Sequence, residues 1–230
     1  MDRALTAARM HFVHPLMSLG IPWLVVGSSF AINLAVWSLL TDRPDDAVTG
    51  GLFALYVTVI VSFAQGVTQL FPIAMGMSLT RRAFYLGTAI VAGIEALGYG
   101  IALTALDAVE NATGGWGMDL SFWAPGRLDV GNPVLQLLVF AAPMLLAAAL
   151  GTVIGVVLKR WGATGLWSAL IGSTLLVGGL VVLTTWLEAW GSIGTWLVTA
   201  SLGTLSVAIP LAGALAFALL GFLALRRAVP

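Results

Sequence analysis

Six apolar runs divide this chain, at 19–40, 51–73, 84–106, 134–158, 166–187 and 205–225, and each is long enough to cross a bilayer. A hydrocarbon core of ~30 Å takes ~20 residues of α-helix. Backbone polar groups in lipid must pair within their own segment, and these runs lack the strict alternation of barrel strands. The chain is therefore predicted to be an all-α membrane protein with six transmembrane helices forming a single domain. Composition agrees: 60% of residues are hydrophobic and 9% charged, against ~25% charged in soluble domains.

The charges orient that scheme. Of ten Lys and Arg, eight fall before the first run, in alternate connections, or after the last: Arg3, Arg9, Arg81, Arg82, Lys159, Arg160, Arg226 and Arg227. Only Arg43 and Arg127 lie in the other connections, which hold Asp42, Asp45, Asp46, Asp107, Glu110, Asp119, Asp129 and Glu188. Basic residues stay on the cytoplasmic side, so both termini are expected there, in a bacterial-type plasma membrane. The first run is read as a retained span, since no small-residue cleavage pattern follows it.

Between the spans the residues carry finer expectations. Over 1–14, Leu5, Ala8, Phe12 and Leu16 share a helical face ended by Pro15, which predicts an interfacial helix. Nine Trp residues sit at span ends or in loops, as headgroup anchors do. The outer segment 107–133, with its Gly114-Gly115-Trp116-Gly117 and Trp123-Ala-Pro125-Gly126 stretches, suggests an ordered cap. Segment 188–204 is too apolar for a free loop and too broken for a span. It suggests a short re-entrant helix in the outer leaflet before the sixth span.

Two sets of polar residues lie within spans. Glu95 stands mid-helix on one narrow face with Thr88, Ala92, Tyr99 and Ala102, and Tyr99 is placed to bond it. An acid at that depth costs on the order of 2.5–3.5 kcal/mol. It is either a substrate or proton site or a neutral contact between helices. Thr58, Ser62, Gln65 and Gln69 form a second polar face on the second helix, lining a cavity or joining a neighbour. Gly151-xxx-Gly155 permits close helix packing.

Several chemistries lack their residues. The chain has no Cys, and its two His residues, His11 and His14, precede the first span. No phosphate-binding loop, metal-ligand spacing or intramembrane His base for Ser28 or Ser29 occurs. No catalytic residue and no cofactor of its own are expected, and nucleic acid is not an expected partner.

The stretch after the second span runs Phe71-Pro-Ile-Ala-Met-Gly76-Met77-Ser78-Leu79-Thr80-Arg81-Arg82-Ala83-Phe84. Here the chain resembles permease subunits of type-2 ABC transporters, mostly exporters, in their small actinobacterial form. In that family a Gly-x-Ser/Thr-Arg-Arg-x-Phe-like stretch joins the second and third helices. Six spans, an amphipathic N-terminal helix, a broken helix before the last span and Lys159-Arg160-Trp161-Gly162 on the inner side also match. The resemblance implies a pair of permeases, identical or homologous, resting on two ATP-binding subunits that hold ATP and Mg. It implies that Gly76, Met77, Ser78, Leu79, Thr80, Arg81, Arg82 and Phe84 form a short coupling helix seated on the ATPase. Thr58, Ser62, Gln65, Gln69, Glu95 and Tyr99 would then line the pathway. Two other classes remain open: a proton-coupled secondary transporter using Glu95, and a non-transporting assembly partner.

Overall fold

Apolar length becomes helix throughout. The computed structural model describes residues 2–13, 19–40 and 49–226, among which there are helices and turns but no strand. In chain order come α1 (Asp2–His11), α2 (Ile21–Leu39), α3 (Gly51–Gly76), α4 (Arg81–Ala112), α5 (Pro133–Trp186), α6 (Trp190–Thr199) and α7 (Ile209–Leu225). Pro15, Leu16, the outer loop with Asp42, Arg43, Asp45 and Asp46, and Arg227 lie outside the described residues.

Five segments are long and apolar enough to cross a membrane: α2, α3, α4, α5, and α7 with the π turn before it, Gly203–Leu225. The fourth and fifth apolar runs account for the difference from six, because both lie in α5. Straight, its 54 residues would reach ~80 Å. It is not straight: Gly162 breaks the helix at φ 64°, ψ −157°, a conformation open essentially to glycine alone. The expected inner turn of Lys159, Arg160, Trp161 and Gly162 is thus reduced to a one-residue hinge. Trp161 packs back on Gly165, and Val157, Thr164 and Ser168 line the cleft between the arms.

The first arm, 133–161, is the centre of the bundle. α3, α4 and α7 all pack on α5, while α3 and α4 barely touch. Small residues permit this by letting backbones approach. Gly151 lies against the Ile60 carbonyl, a Cβ on Gly155 would stand 2.8 Å from the Ala64 carbonyl oxygen, and Gly100 faces Ala141. On the other side Gly213 meets Leu146 and Gly221 meets Val153.

α4 runs 32 residues, or ~48 Å, past the expected end at 106 and out of a ~30 Å core. Its last turns anchor an ordered cap. Glu110, buried, accepts from the backbone N–H groups of Phe122 at 3.0 Å and Trp123 at 3.2 Å, and from Trp116 Nε1 at 3.0 Å. Phe30 of α2 packs on the rings of Trp116, Phe122 and Trp123, and Trp37 Nε1 donates to the Met118 carbonyl at 2.9 Å. Trp37, Trp116 and Trp123 are therefore cap residues rather than lipid anchors. Trp161, Trp167, Trp186, Trp190 and Trp196 stay exposed, as anchors do.

α1 is docked rather than floating. It turns Ala7, Ala8 and His11 inward and leaves Leu5 exposed, so its packing face is rotated from the expected Leu5–Ala8–Phe12 stripe. Gly87 of α4 supplies the notch: a Cβ there would stand 2.7 Å from Ala7 Cβ. The basic residues converge at this end. Arg81 Nη1 donates to the Arg226 carbonyl at 2.8 Å and Arg160 Nη1 to that of Ala224 at 3.4 Å. Asp107 and Asp129 meet at the opposite end of α4, each 3.4 Å from Asn111 Nδ2.

Candidate functional site

The link between α3 and α4 is four residues long, Met77, Ser78, Leu79 and Thr80. Ser78 takes the left-handed conformation at φ 59°. Its N–H donates to the Met75 carbonyl and that of Leu79 to the Ala74 carbonyl, both at 3.0 Å. That pair of bonds is a Schellman closure. Thr80 then caps α4, accepting from Ala83 N at 3.1 Å. A separate coupling helix is therefore absent: local caps satisfy both helix ends and leave no free turn to wind.

This turn presents only part of the expected set outward. Gly76, Met77, Ser78, Thr80 and Arg82 are exposed, and Leu79 and Arg81 half-buried. Phe84 is buried between Phe71, 5.5 Å away in an edge contact, and the His11 ring at 6.1 Å. It belongs to the core and offers no surface to a partner. His11 is held as firmly. The Thr88 hydroxyl donates to the Phe84 carbonyl, so the imidazole Nε2–H is the donor in its 3.1 Å contact with Thr88 Oγ1. Burial pushes the His11 pKa down from 6.5 to about 4, because charging it would strip a cation of water.

The two intramembrane polar sets are not brought together. Glu95 and Tyr99 are buried on the inner face of α4, and Trp23 stacks on Tyr99 at 5.5 Å. The expected Tyr99–Glu95 hydrogen bond is not formed: the Tyr99 hydroxyl has no partner among the described residues. The α3 set faces the other way. Thr58 and Ser62 are half-buried and Gln65 and Gln69 exposed, while Leu55, Val59, Phe63 and Val67 occupy the buried side. Thr58 satisfies its hydroxyl within its own helix, donating to the Ala54 carbonyl at 2.6 Å. The two glutamines are left to whatever lies outside this chain.

The sequence reading did not single out Glu110, which organises the cap. Its signal was present: an acid one turn past the span, followed by a Gly- and Trp-rich stretch rich in N–H donors. No group of three metal-binding side chains occurs among the described residues. Compared with protein-family models, curated proteins and solved structures, the chain matches none.

Proposed function

We propose that the chain is the membrane-spanning permease of an ATP-driven transporter of the type-2 ABC class, an exporter, working as a pair on two separate ATP-binding subunits. The observation that carries this reading is the pair of exposed glutamines on α3, Gln65 and Gln69. Glutamines exposed in the second half of an apolar helix, Gln65 near its middle and Gln69 one turn on, are costly against lipid. A second permease copy, enclosing a polar pathway between the two, removes that cost.

Other features support the reading. The two arms of α5, each long enough to span, give six spans with both termini on the basic, cytoplasmic side. α6 fits a short helix dipping into the outer leaflet. The exposed turn of Met77, Ser78 and Thr80 is the contact for the ATPase, and the Schellman closure and Thr80 cap make it a rigid lever on α3 and α4. ATP and Mg act in the partner, and nucleotide-driven closure shifts the permease between access states.

The test is reconstitution with a candidate ATPase, reading copurification, ATP hydrolysis and transport. Met77→Asp and Ser78→Asp, both at exposed positions, place a charge in the contact, and each lowers transport by about tenfold or more at ~1.4 kcal/mol per decade. If neither changes transport or ATPase association, the turn only joins two helices and the coupling assignment is wrong. A cysteine at Gly131 labels from outside in intact cells and one at Ser78 does not. The proton-coupled alternative rests on the burial of Glu95. Flux driven by a pH gradient without nucleotide, and abolished by Glu95→Gln, replaces the ATP reading with that one.

A further inference from the structure

At the basic end, α4 and α7 frame an open groove of about 860 Å³. Its rim is Thr80, Arg81, Arg82 and Arg226, and its walls are apolar, including Leu86, Leu215, Leu219 and Phe222. The three arginines have no carboxylate among the lining residues, and α4 has no acid in its first turn. Arg81 is held beside Arg226 by its hydrogen bond to the Arg226 carbonyl at 2.8 Å. The Arg226 guanidinium lies 5.9 Å from the Phe222 ring centre, at the head of the apolar wall. Like charges gathered on one rim repel one another unless an anion joins them.

The shape selects the kind of anion. From Arg226 down to Leu215, α7 descends eleven residues, about 16 Å, along a wall on which Leu215 and Leu219 are mostly exposed. A free phosphate would satisfy the rim and leave that wall bare. An acidic peptide would bring polar backbone against it. A molecule with one anionic end and a hydrocarbon tail matches both parts, and basic pockets between spans take such headgroups. We propose that this groove binds an anionic phospholipid, its phosphate held by Arg81, Arg82 and Arg226 and one acyl chain lying along Leu215, Leu219 and Phe222. The inference depends on the helices being membrane spans, not on the transporter reading.

The experiment compares dioleoyl phosphatidylglycerol with dioleoyl phosphatidylcholine on the purified full chain in mild detergent, counting retained lipids by native mass spectrometry. Phosphatidylglycerol should be retained about tenfold or more over phosphatidylcholine. Arg82→Gln, at an exposed position, should cut that preference about fivefold, and Arg82→Gln with Arg226→Gln should nearly erase it. Because Arg226 sits at a helix end, the single Arg82→Gln decides the matter if the double variant misfolds. Excess inorganic phosphate should leave the lipid in place. Equal retention of the two lipids, or an unchanged preference in Arg82→Gln, overturns the proposal, as does complete displacement by phosphate, which marks a free-anion site. A photocrosslinker at Leu219 that captures a second copy of the chain, or the ATPase, instead of lipid overturns it too.

Discussion

The two arms of α5 are alike in apolar content and opposite in use. Along 133–161, a face of Ala141, Ala148, Gly151, Thr152 and Gly155 is buried against neighbouring helices. Along the second arm every residue from 167 to 183 is exposed. Both arms carry glycine, which costs a helix ~1 kcal/mol per residue relative to alanine. In the first arm the close approach of α3 compensates, since Gly151 and Gly155 stand against its backbone. In the second, Gly172, Gly178 and Gly179 have nothing within 4 Å of where a Cβ would be. Hydropathy decides whether a segment enters lipid. Which segment packs on which depends on small residues lying opposite another backbone.

Gly151→Leu attacks that difference where it is largest. The new side chain must enter the Ile60 backbone, which cannot rotate away, so the bundle loses about 3 kcal/mol or more. In detergent this reads as a melting temperature lowered by about 10 °C, or as loss of monodisperse protein. A variant melting within two degrees of the parent, roughly 1 kcal/mol, means the α3–α5 contact is not made. Glu110→Ala ranks next, because it strands two backbone N–H groups and an indole N–H inside the cap, for about 3 kcal/mol. Faster proteolysis over 113–131 with an intact helical signal is the expected result; unchanged protection removes Glu110 from its anchoring role.

A smaller effect is expected at α1, which docks through a glycine notch as the first arm does. With His11 lowered to about 4 when docked and ~6.5 when released, the released form binds more protons between those values. Docking is therefore full above about pH 6.5, weakens as pH falls, and has lost about 2 kcal/mol by pH 5. His11→Gln should flatten that dependence, measured as protection of Arg9 from trypsin-like cleavage between pH 7 and 5. An identical slope in the variant assigns the dependence to another group.

Much of the bundle was legible because its signals are local. Span positions follow from apolar length, and the gathering of Arg81, Arg160 and Arg226 at one end follows from charge placement. Gly151-xxx-Gly155 reads as a contact from the sequence alone. The rest depends on what a residue meets across space. Nothing local tells Trp123, which is buried, from Trp186, which is exposed; Phe30 and Glu110 make that distinction from other helices. Phe84 reads as a contact residue of the basic turn until Phe71 and His11 enclose it. The hinge at Gly162 was hidden because a loop and a single left-handed glycine both look like a Gly beside a basic pair.

The least disruptive substitution tests the comparison from the other side. Gly172→Leu with Gly178→Leu places two branched side chains on the exposed arm, where no atom of this chain stands within 4 Å. Removing two glycines from a helix gains rather than loses intrinsic stability, by ~1–2 kcal/mol in total, so the monomer should melt no lower than the parent. If a second copy lies against this arm, the same leucines push its backbone away, and the crosslinked dimer should fall several-fold while the monomer melt holds. An unchanged dimer means that the arm faces lipid and that its glycines serve no close contact. A monomer destabilised as far as Gly151→Leu would mean that the arm packs inside its own chain, and the contrast between the two arms would be lost.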